Sequence, residues 1–240
     1  MQNENNRNLA LRMRKLFLVL LLLSYQLMQA QVWLVDYSVG YGTYHLADIK
    51  NLQTSMDGHL GLKITDRFPG YITHTVSIGT PSEKSYTGGQ FTYLTTGGRL
   101  HNADYSGSYK VDMILNGFRA GVFYKYMHQT AYLPLSFYMQ LSSGVTFTSL
   151  NINESLSIYS ESENKNSNLT AMGFYIEPTV GLMYRITNWL QLTAGGGYEA
   201  NLWGNLMYSG QQTTLRADWS GLRLYGGVVY TLPIRNSNHD

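Results

Sequence analysis

The sequence predicts an all-β fold, an eight-stranded antiparallel up-and-down transmembrane β-barrel, and three observations lead there. The first is a twenty-residue alternation from Trp189 to Tyr208, in which apolar or small residues fill the even positions and polar residues fill many odd ones. Side chains alternate between the two faces of a strand, and strands of soluble proteins usually have about 5–6 residues. A longer alternation is typical of a strand with lipid on one side and a polar barrel interior on the other.

The second observation is that seven further segments alternate, and the third is that long and short connections alternate between them. An up-and-down barrel shows this order when short turns face the periplasm and long loops face outside. A secreted β-sandwich or lipocalin-like barrel is the alternative, but strand length and the sorting of the loops favour the membrane. The predicted strands are 32–46, 70–80, 85–100, 108–127, 132–152, 169–186, 189–208 and 221–232.

In the first half of the chain, the pattern weakens after the first strand. The long connection 47–67 has mixed polarity without a clear period, and 101–107 is a polar loop. The second and third strands have the weakest patterns, and glycine pairs interrupt the third. In the fourth strand the apolar phase slips near Asn116 and Gly117, so a β-bulge or bend is expected there.

In the second half of the chain, the fifth, sixth and eighth strands alternate cleanly. Residues 154–168 form the most polar stretch, rich in Ser, Asn and Glu, which is typical of a long mobile loop. A tight turn at Thr187 and Asn188 leads into the seventh strand, and 209–218 is the last long loop.

The N-terminal segment 1–30 predicts a secretory signal peptide, and the outer-membrane β-barrel domain is then 31–240. A basic stretch from Arg12 to Lys15 precedes an apolar run that is too short to cross a bilayer as a helix, and the small residue Ala30 follows at a cleavage distance. The sequence leaves the start open between two methionines, Met1 and Met13.

Composition excludes several classes of function. The whole chain has 17 Lys+Arg and 15 Asp+Glu; segment 1–30 holds four of the basic residues and one of the acidic ones, so its removal takes the net charge from +2 to −1. No basic stripe remains, so nucleic acid is not an expected partner. The absence of cysteine excludes disulfides, thiol catalysis and a cysteine-linked lipid anchor. The histidines show no metal spacing, and neither a metal nor a cofactor is expected.

Four charged residues on the polar faces are the main candidate site, because charge inside a narrow barrel is costly unless it is paired. Counted from the short turns, Arg119, Glu177, Glu199 and Arg223 lie at a similar height. Arginine can bind carboxylates two at a time, so these residues predict a lumen ion-pair cluster. We interpret it as a plug; the alternative is a gate whose rearrangement opens a small conductance. An eight-stranded interior is just wide enough for side chains, which favours the plug.

Three other charges lie nearer the short turns. They are Asp36, Lys125 and Arg185. We expect them to face water in the periplasmic mouth as a solvated rim.

Residues 32–232 resemble, as a pattern, the small eight-stranded outer-membrane barrels similar to the OmpA transmembrane domain, and most of all the stand-alone versions of the Bacteroidetes. Segment 225–232, Tyr-Gly-Gly-Val-Val-Tyr-Thr-Leu, resembles the final-strand signal read by the outer-membrane assembly machinery, although this chain continues past the last aromatic residue. The resemblance implies the cell outer membrane of a Gram-negative bacterium, contact with outer-membrane lipid and lipopolysaccharide, and insertion by that machinery.

Some barrels of this size modify lipid A, and they need a nucleophile with a histidine base. The His-x-Ser-Asn motif of the deacylases is absent, while His59 and His101 in predicted external loops leave a loop-based enzyme open. The leading hypothesis is a non-enzymatic, porin-like barrel with a structural or loop-mediated binding role and a mostly plugged interior. The alternatives are a lipid A-modifying barrel enzyme and an accessory subunit of a secretion or assembly machine. The sequence does not specify the external ligand, any conductance or the oligomeric state.

Overall fold

The computed structural model describes residues 32–233 except 106, 131–132 and 160. The predicted signal peptide 1–30 lies outside the described residues, as does the end of the chain from 234. The described residues form eleven strands and one helix. The elements are β1 (Val32–Gly42), α1 (Ala47–Leu60), β2 (Lys63–Arg67), β3 (Tyr71–Pro81), β4 (Ser85–Ala103), β5 (Gly107–Gln129), β6 (Leu135–Ile158), β7 (Glu161–Arg185), β8 (Leu190–Trp203), β9 (Asn205–Tyr208), β10 (Gln211–Arg216) and β11 (Gly221–Pro233).

Eight of the strands close into a ring in the order β1-β3-β4-β5-β6-β7-β8-β11. The first and last strands complete it: Tyr37 pairs with Val76 of β3 on one side and with Val228 of β11 on the other. Every pair in the ring is antiparallel. The predicted eight-stranded antiparallel barrel is therefore confirmed. Among the described strands, β2, β9 and β10 stand outside the ring, paired with β4, β7 and each other.

The outer face of the ring carries a belt of large exposed apolar side chains. A closed ring leaves no backbone edge unpaired, and an apolar exterior around a polar interior is what a bilayer requires of a β-barrel. We call the end with the three short turns the lower end and the opposite end the upper end. The belt includes Tyr37, Val39, Tyr41, Ile72, Val76, Ile78, Phe91, Phe118, Val122, Tyr124, Phe137, Met139, Leu141, Phe147, Met172, Phe174, Ile176, Val180, Leu182, Leu192, Leu202, Leu222, Leu224, Val228 and Tyr230.

At the upper end, β4 to β7 continue far beyond the belt, so the predicted loops 101–107 and 154–168 are too long. β4 ends at Ala103 and β5 begins at Gly107, while β6 ends at Ile158 and β7 begins at Glu161. β6 and β7 pair without interruption up to Ile158 and Glu161. Polar side chains stabilise this hairpin by pairing across the strands on its outer face, as when Asn168 Nδ2 donates to Asn151 Oδ1 at 2.6 Å. A polar composition therefore belongs here to a strand with one amide-rich face.

The expected bulge at Asn116–Gly117 is also wrong, because β5 pairs in continuous register with both neighbours across these residues. The apparent slip has another cause. Below it the inward residues of β5 include the charged Arg119 and Lys125, whereas above it they are apolar, as at Met113 and Leu115. The inward face changes its chemistry while the strand keeps its phase.

The connection 47–67, expected to lack regular structure, contains α1 and β2 and folds into the upper mouth of the barrel. Leu46 before the helix and Gly61 after it both have left-handed backbone angles, φ 45° and 61°. We call segment 43–68, together with segment 217–220 that contacts it, the cap. The cap, the inward faces of β4 to β7 and Leu206 of β9 form the upper core. Its buried members are Tyr44, Leu46, Ile49, Leu62, Phe68, Leu94, Leu100, Val111, Met113, Leu115, Leu150, Ile152, Leu169, Ala171, Leu206, Ala217 and Trp219.

The helix α1 has 14 residues. In the described part of the chain, no helix combines the length and the apolar character that a membrane-spanning helix needs.

The long alternation from 189 to 208 is divided between two strands. Trp203 and Gly204 have φ angles of 62° and 103°, and this irregularity separates β8 from β9. Leu206 is fully buried in the upper core, although the alternation had placed it on the lipid face. The backbone irregularity resets which face each residue occupies.

Candidate functional site: a charged lumen closed above and below

The lumen of the ring holds four charged residues at the height of the belt. Arg119 Nη1 donates to Glu177 Oε2 at 2.8 Å and to Glu199 Oε2 at 2.6 Å. Arg223 Nη2 donates to the same Glu199 oxygen at 2.5 Å. The structure thus brings together all four residues of the predicted ion-pair cluster, and each side chain is at most 4% exposed. Two positive and two negative charges leave the cluster neutral, the condition under which buried charge is tolerated.

Arg223 also joins this cluster to the cap. Its Nη1 donates to the backbone carbonyl of Thr43 at 2.6 Å, and its Nη2 donates to that of Trp219 at 2.7 Å. The guanidinium lies 4.9 Å from the centre of the Tyr44 ring. Gly42 makes room for it, because a methyl group built there would lie 2.7 Å from Nη1. Loss of Arg223 would therefore affect both the cluster and the cap.

A second charged pair lies lower in the lumen. Lys125 Nζ donates to Asp36 Oδ2 at 3.0 Å, and both residues are buried. The Lys125 ammonium also lies 5.4 Å from the Tyr86 ring centre and 4.8 Å from that of Tyr138, within cation–π range. The expectation that Asp36 and Lys125 form a solvated rim in the periplasmic mouth is wrong, because both are buried and the Tyr86 and Tyr138 rings lie beside the ammonium. Arg185 is exposed, as a rim charge would be.

Between the two charged layers lies a small polar cavity of about 40 Å³. Its lining includes Asp36, Arg119, Lys125 and Glu177, together with threonine, serine and glutamine side chains. A space of this size has room for water but not for a solute such as a sugar or an amino acid. The cavity is therefore a polar pocket, large enough for water, between two ion-paired layers.

Apolar packing closes the lumen on both sides of these layers. Above, Trp219 is fully buried, its ring lies edge-on to Tyr44 at 4.9 Å, and its indole N–H donates to Thr148 Oγ1 at 2.9 Å. At the level of the Asp36–Lys125 pair and below it, a second cluster fills the lumen, and we call it the lower core. Its buried members are Leu34, Tyr86, Phe123, Tyr138, Met183 and Val229. A hydrated ion passing through would have to cross two apolar layers, which is costly.

A third polar group fixes the cap at the surface of the upper mouth. His45 Nδ1 lies 2.9 Å from Asp218 Oδ2, and Ser220 Oγ donates to Asp218 Oδ1 at 2.6 Å. Burial alone would raise the pKa of Asp218, but the hydrogen bonds from Ser220 and His45 outweigh it and hold the pKa below its usual value. The serine bonds to the carboxylate and not to the histidine, so this is not the nucleophile–base order of a hydrolase.

The sequence did not reveal Tyr44, Trp219 or the Asp218 group as parts of this arrangement. Tyr44 was expected at the end of the strand 32–46, but that strand ends at Gly42, and Trp219 lies in a connection, where no periodicity marks a residue as buried. The one available signal was their aromatic character at the ends of β1 and β11, which equally suits an interfacial girdle. Among the described residues, no group of three or more His, Cys, Asp or Glu side chains is arranged to hold a metal ion.

Comparisons with known proteins find solved structures only. No protein-family model matches the chain, and no curated protein matches it. Neisserial surface protein A is 13% identical with a TM-score of 0.37, covering 84% of this chain and 97% of its own. Ail of Yersinia pestis is 10% identical with a TM-score of 0.36, covering 85% and 100%. The N-terminal β-barrel domain of Pseudomonas aeruginosa OprF is 12% identical with a TM-score of 0.33, covering 85% and 98%. Sequence identities and TM-scores this low do not support a conclusion about this chain, so its fold and its candidate site are assigned from its own strand pairing and side-chain contacts.

Proposed function

We propose that this protein is a non-enzymatic outer-membrane β-barrel of the small OmpA-like kind, with a lumen closed at rest and a binding role at its upper, external end. The observation that carries the proposal is the closure of the lumen by an apolar core above and below the ion-paired layers. A barrel closed in this way does not serve as a general diffusion pore. A function in binding is then expected on the outer surface of the barrel or on its upper extension, by which we mean the parts of β4 to β7 above the belt.

The upper extension offers a surface for an external partner. Two cavities of about 330 and 200 Å³ lie side by side on the inward, concave face of the β5–β7 sheet above the cap, and both are lined by Tyr109 and Leu156. The larger is also lined by Glu154, Glu163 and Lys165. Aromatic and apolar side chains beside a few charges are the usual composition of a recognition surface. This surface stands on paired strands, which hold it more firmly than a loop would.

The lipid A-modifying alternative depended on His59 and His101. His59 belongs to α1, and its side chain lies outside the described part of the structure. His101 lies on the outward face of β4 opposite Lys110. His45 contacts the Asp218 carboxylate, which also accepts the hydrogen bond of Ser220. Insertion by the outer-membrane assembly machinery remains part of the proposal, and β11 presents segment 225–232 as a complete strand that closes the ring.

The test is expression of the full chain in a Gram-negative host, followed by membrane separation and lipid A mass spectrometry. We expect the protein in the outer-membrane fraction, with the heat-modifiable electrophoretic migration of a folded barrel and with lipid A unchanged. A change in the acyl chains or phosphates of lipid A that depends on the protein would contradict the non-enzymatic proposal. Recovery in the soluble fraction would contradict the barrel itself.

A further inference from the structure

The outward face of the upper sheet has a groove at the level where the apolar belt ends. It has a volume of about 380 Å³ and lies across β5, β6, β7 and β9. We call it the outer groove. The residues that define it are Asn116, Phe118, Phe147, Ser149, Met172 and Met207. Its place at the upper border of the belt puts it at the surface of the outer leaflet.

One half of the outer groove is apolar and remains uncovered. Phe118 is 60% exposed, Phe147 52%, Met172 57% and Met207 46%. The break between β8 and β9 opens this half, because β7 pairs with Trp203 at Gly173 and next with Met207 at Thr170. Methionine side chains adapt to irregular apolar ligands, and the neighbouring belt already faces lipid. At the upper border of a lipid-facing belt, the apolar group available to this half of the groove is the acyl chain of a lipid.

The other half of the groove is polar and uncharged. Asn116 Oδ1 accepts hydrogen bonds from Tyr93 and Thr95, both at 3.0 Å, which orients the Asn116 side chain on the outward face. Its amide NH₂ then has two donors to offer outward. Directly above, Asn168 Nδ2 bridges Ser149 Oγ and Asn151 Oδ1. Rows of amides and hydroxyls suit the hydroxyl groups of a sugar.

Positive charge lies higher on the same outward face. Arg99 and Lys110 share one carboxylate, Asp112, at 2.5 and 2.6 Å. Asp66 and Lys63 of β2 pair with Arg99 and His101 of β4, so the group of five charges has three positive and two negative members. Asp112 is four residues above Asn116 on β5, or about 13 Å at the rise of a strand. The order along the face is therefore apolar, then neutral polar, then basic.

That order matches one class of molecule, and we propose that the outer groove binds a glycolipid of the outer leaflet that carries an anionic sugar headgroup. The acyl chain lies on Phe118, Phe147 and the two methionines, the first sugar meets the Asn116 amide, and the anionic group faces Arg99 and Lys110. This inference rests on the proposed outer-membrane location and adds a defined lipid site to it.

The test is native mass spectrometry of the full detergent-solubilised protein titrated with rough lipopolysaccharide, or with phosphatidylglycerol as an anionic lipid without sugar. The groove variant combines Asn116→Ala with Met172→Ala. Its matched control combines Asn166→Ala with Met139→Ala, which changes the same residue types on the outward face away from the groove. Met207→Ala is a second groove variant, and since β9 lies outside the ring it leaves barrel closure intact.

We expect the wild-type protein to bind lipopolysaccharide at least about tenfold more tightly than phosphatidylglycerol, a difference of about 1.4 kcal/mol. The groove variant should weaken lipopolysaccharide binding about tenfold and the control about twofold or less. Equal binding of the two lipids, or equal losses in variant and control, would overturn the glycolipid site. If that result is obtained while the wild-type protein keeps its heat-modifiable migration, only the lipid site is contradicted. If the wild-type protein lacks heat-modifiable migration, the proposed barrel itself is contradicted.

Discussion

The two halves of β5 have the same inward phase, but charged residues face the lumen in only one of them. In the upper half, Val111, Met113 and Leu115 point inward into the upper core. In the lower half, the inward residues Arg119 and Lys125 belong to the two charged layers, and Phe123 of the lower core lies between them along the strand. The outward face of the lower half is apolar because lipid surrounds it, whereas its inward face must match whatever fills the lumen. The membrane therefore dictates one face of a barrel strand, and the contents of the lumen dictate the other.

The two regions should also differ in how they fail. The upper core is stabilised by apolar packing, so its weakness is the removal of volume. The charged layers are stabilised by pairing, so their weakness is the removal of one partner, while removal of both is tolerated. The predictions below separate these two behaviours.

The largest effect is expected from Glu199→Ala. Within residues 32–233 as described, Glu199 is the one carboxylate paired with both Arg119 and Arg223, so its loss leaves two buried guanidiniums without their shared partner. We expect the free energy of unfolding to fall by about 3–5 kcal/mol, measured by urea titration in lipid vesicles. Glu163→Ala changes an exposed carboxylate of β7 and should cost about 0.5 kcal/mol or less. Equal costs for the two variants would show that the cluster does not stabilise the barrel.

Trp219→Phe should cost about 2–3 kcal/mol, because it removes part of a buried ring and the hydrogen bond to Thr148. Hydrogen exchange should show the loss first in the cap, where the amide N–H of Lys50 donates to Leu46. Trp203→Phe is the matched control, since Trp203 is 66% exposed on the outer face. Faster exchange throughout the ring, with the cap no worse than the rest, would argue against a separate upper core.

Replacement of the whole lower pair, Asp36→Leu with Lys125→Met, should change the free energy of unfolding by about 1 kcal/mol or less, or raise it. Lys125→Met alone should cost more, because it leaves the buried Asp36 carboxylate without its ammonium. Urea titration of both variants tests this contrast. A double variant as unstable as the single one would mean that this layer has a role beyond pairing.

The smallest effect concerns pH. The folded-state pKa of Asp218 is held below its usual value of 3.8, so this group stabilises the cap above that pH and ceases to do so as the pH falls through the lower folded value. Hydrogen exchange at the Leu46 amide, which donates to the Asp218 carbonyl, should therefore show a loss of cap stability on acidification below about pH 4. Asp218→Asn should remove this pH dependence. An unchanged acid response in that variant would assign it to another group.

The fold and the cluster were accessible to sequence reasoning for one reason, which is that a lipid-facing strand alternates strictly. That regularity located the eight ring strands and allowed Arg119 and Glu199 to be counted to one height. It failed where the outer face no longer meets lipid. Above the belt, the polar sequence 154–168 forms the paired ends of two strands, β6 and β7. The helix α1 was missed because its buried side includes the polar Gln53 beside Ile49, which interrupts the apolar period. Burial of Asp36 and Lys125 was missed because it depends on Tyr86 and Tyr138, which lie on distant strands.

The most direct test of the closed lumen is the electrical conductance of the purified full chain in planar bilayers, with insertion verified by heat-modifiable migration of the recovered protein. Two apolar cores and two ion-paired layers lie in the path of an ion, so the wild-type protein should leave the bilayer current at its baseline. The Arg119→Ala and Arg223→Ala double variant should open only brief events, because both apolar cores remain in place. A stable open conductance in the wild-type protein would contradict the account.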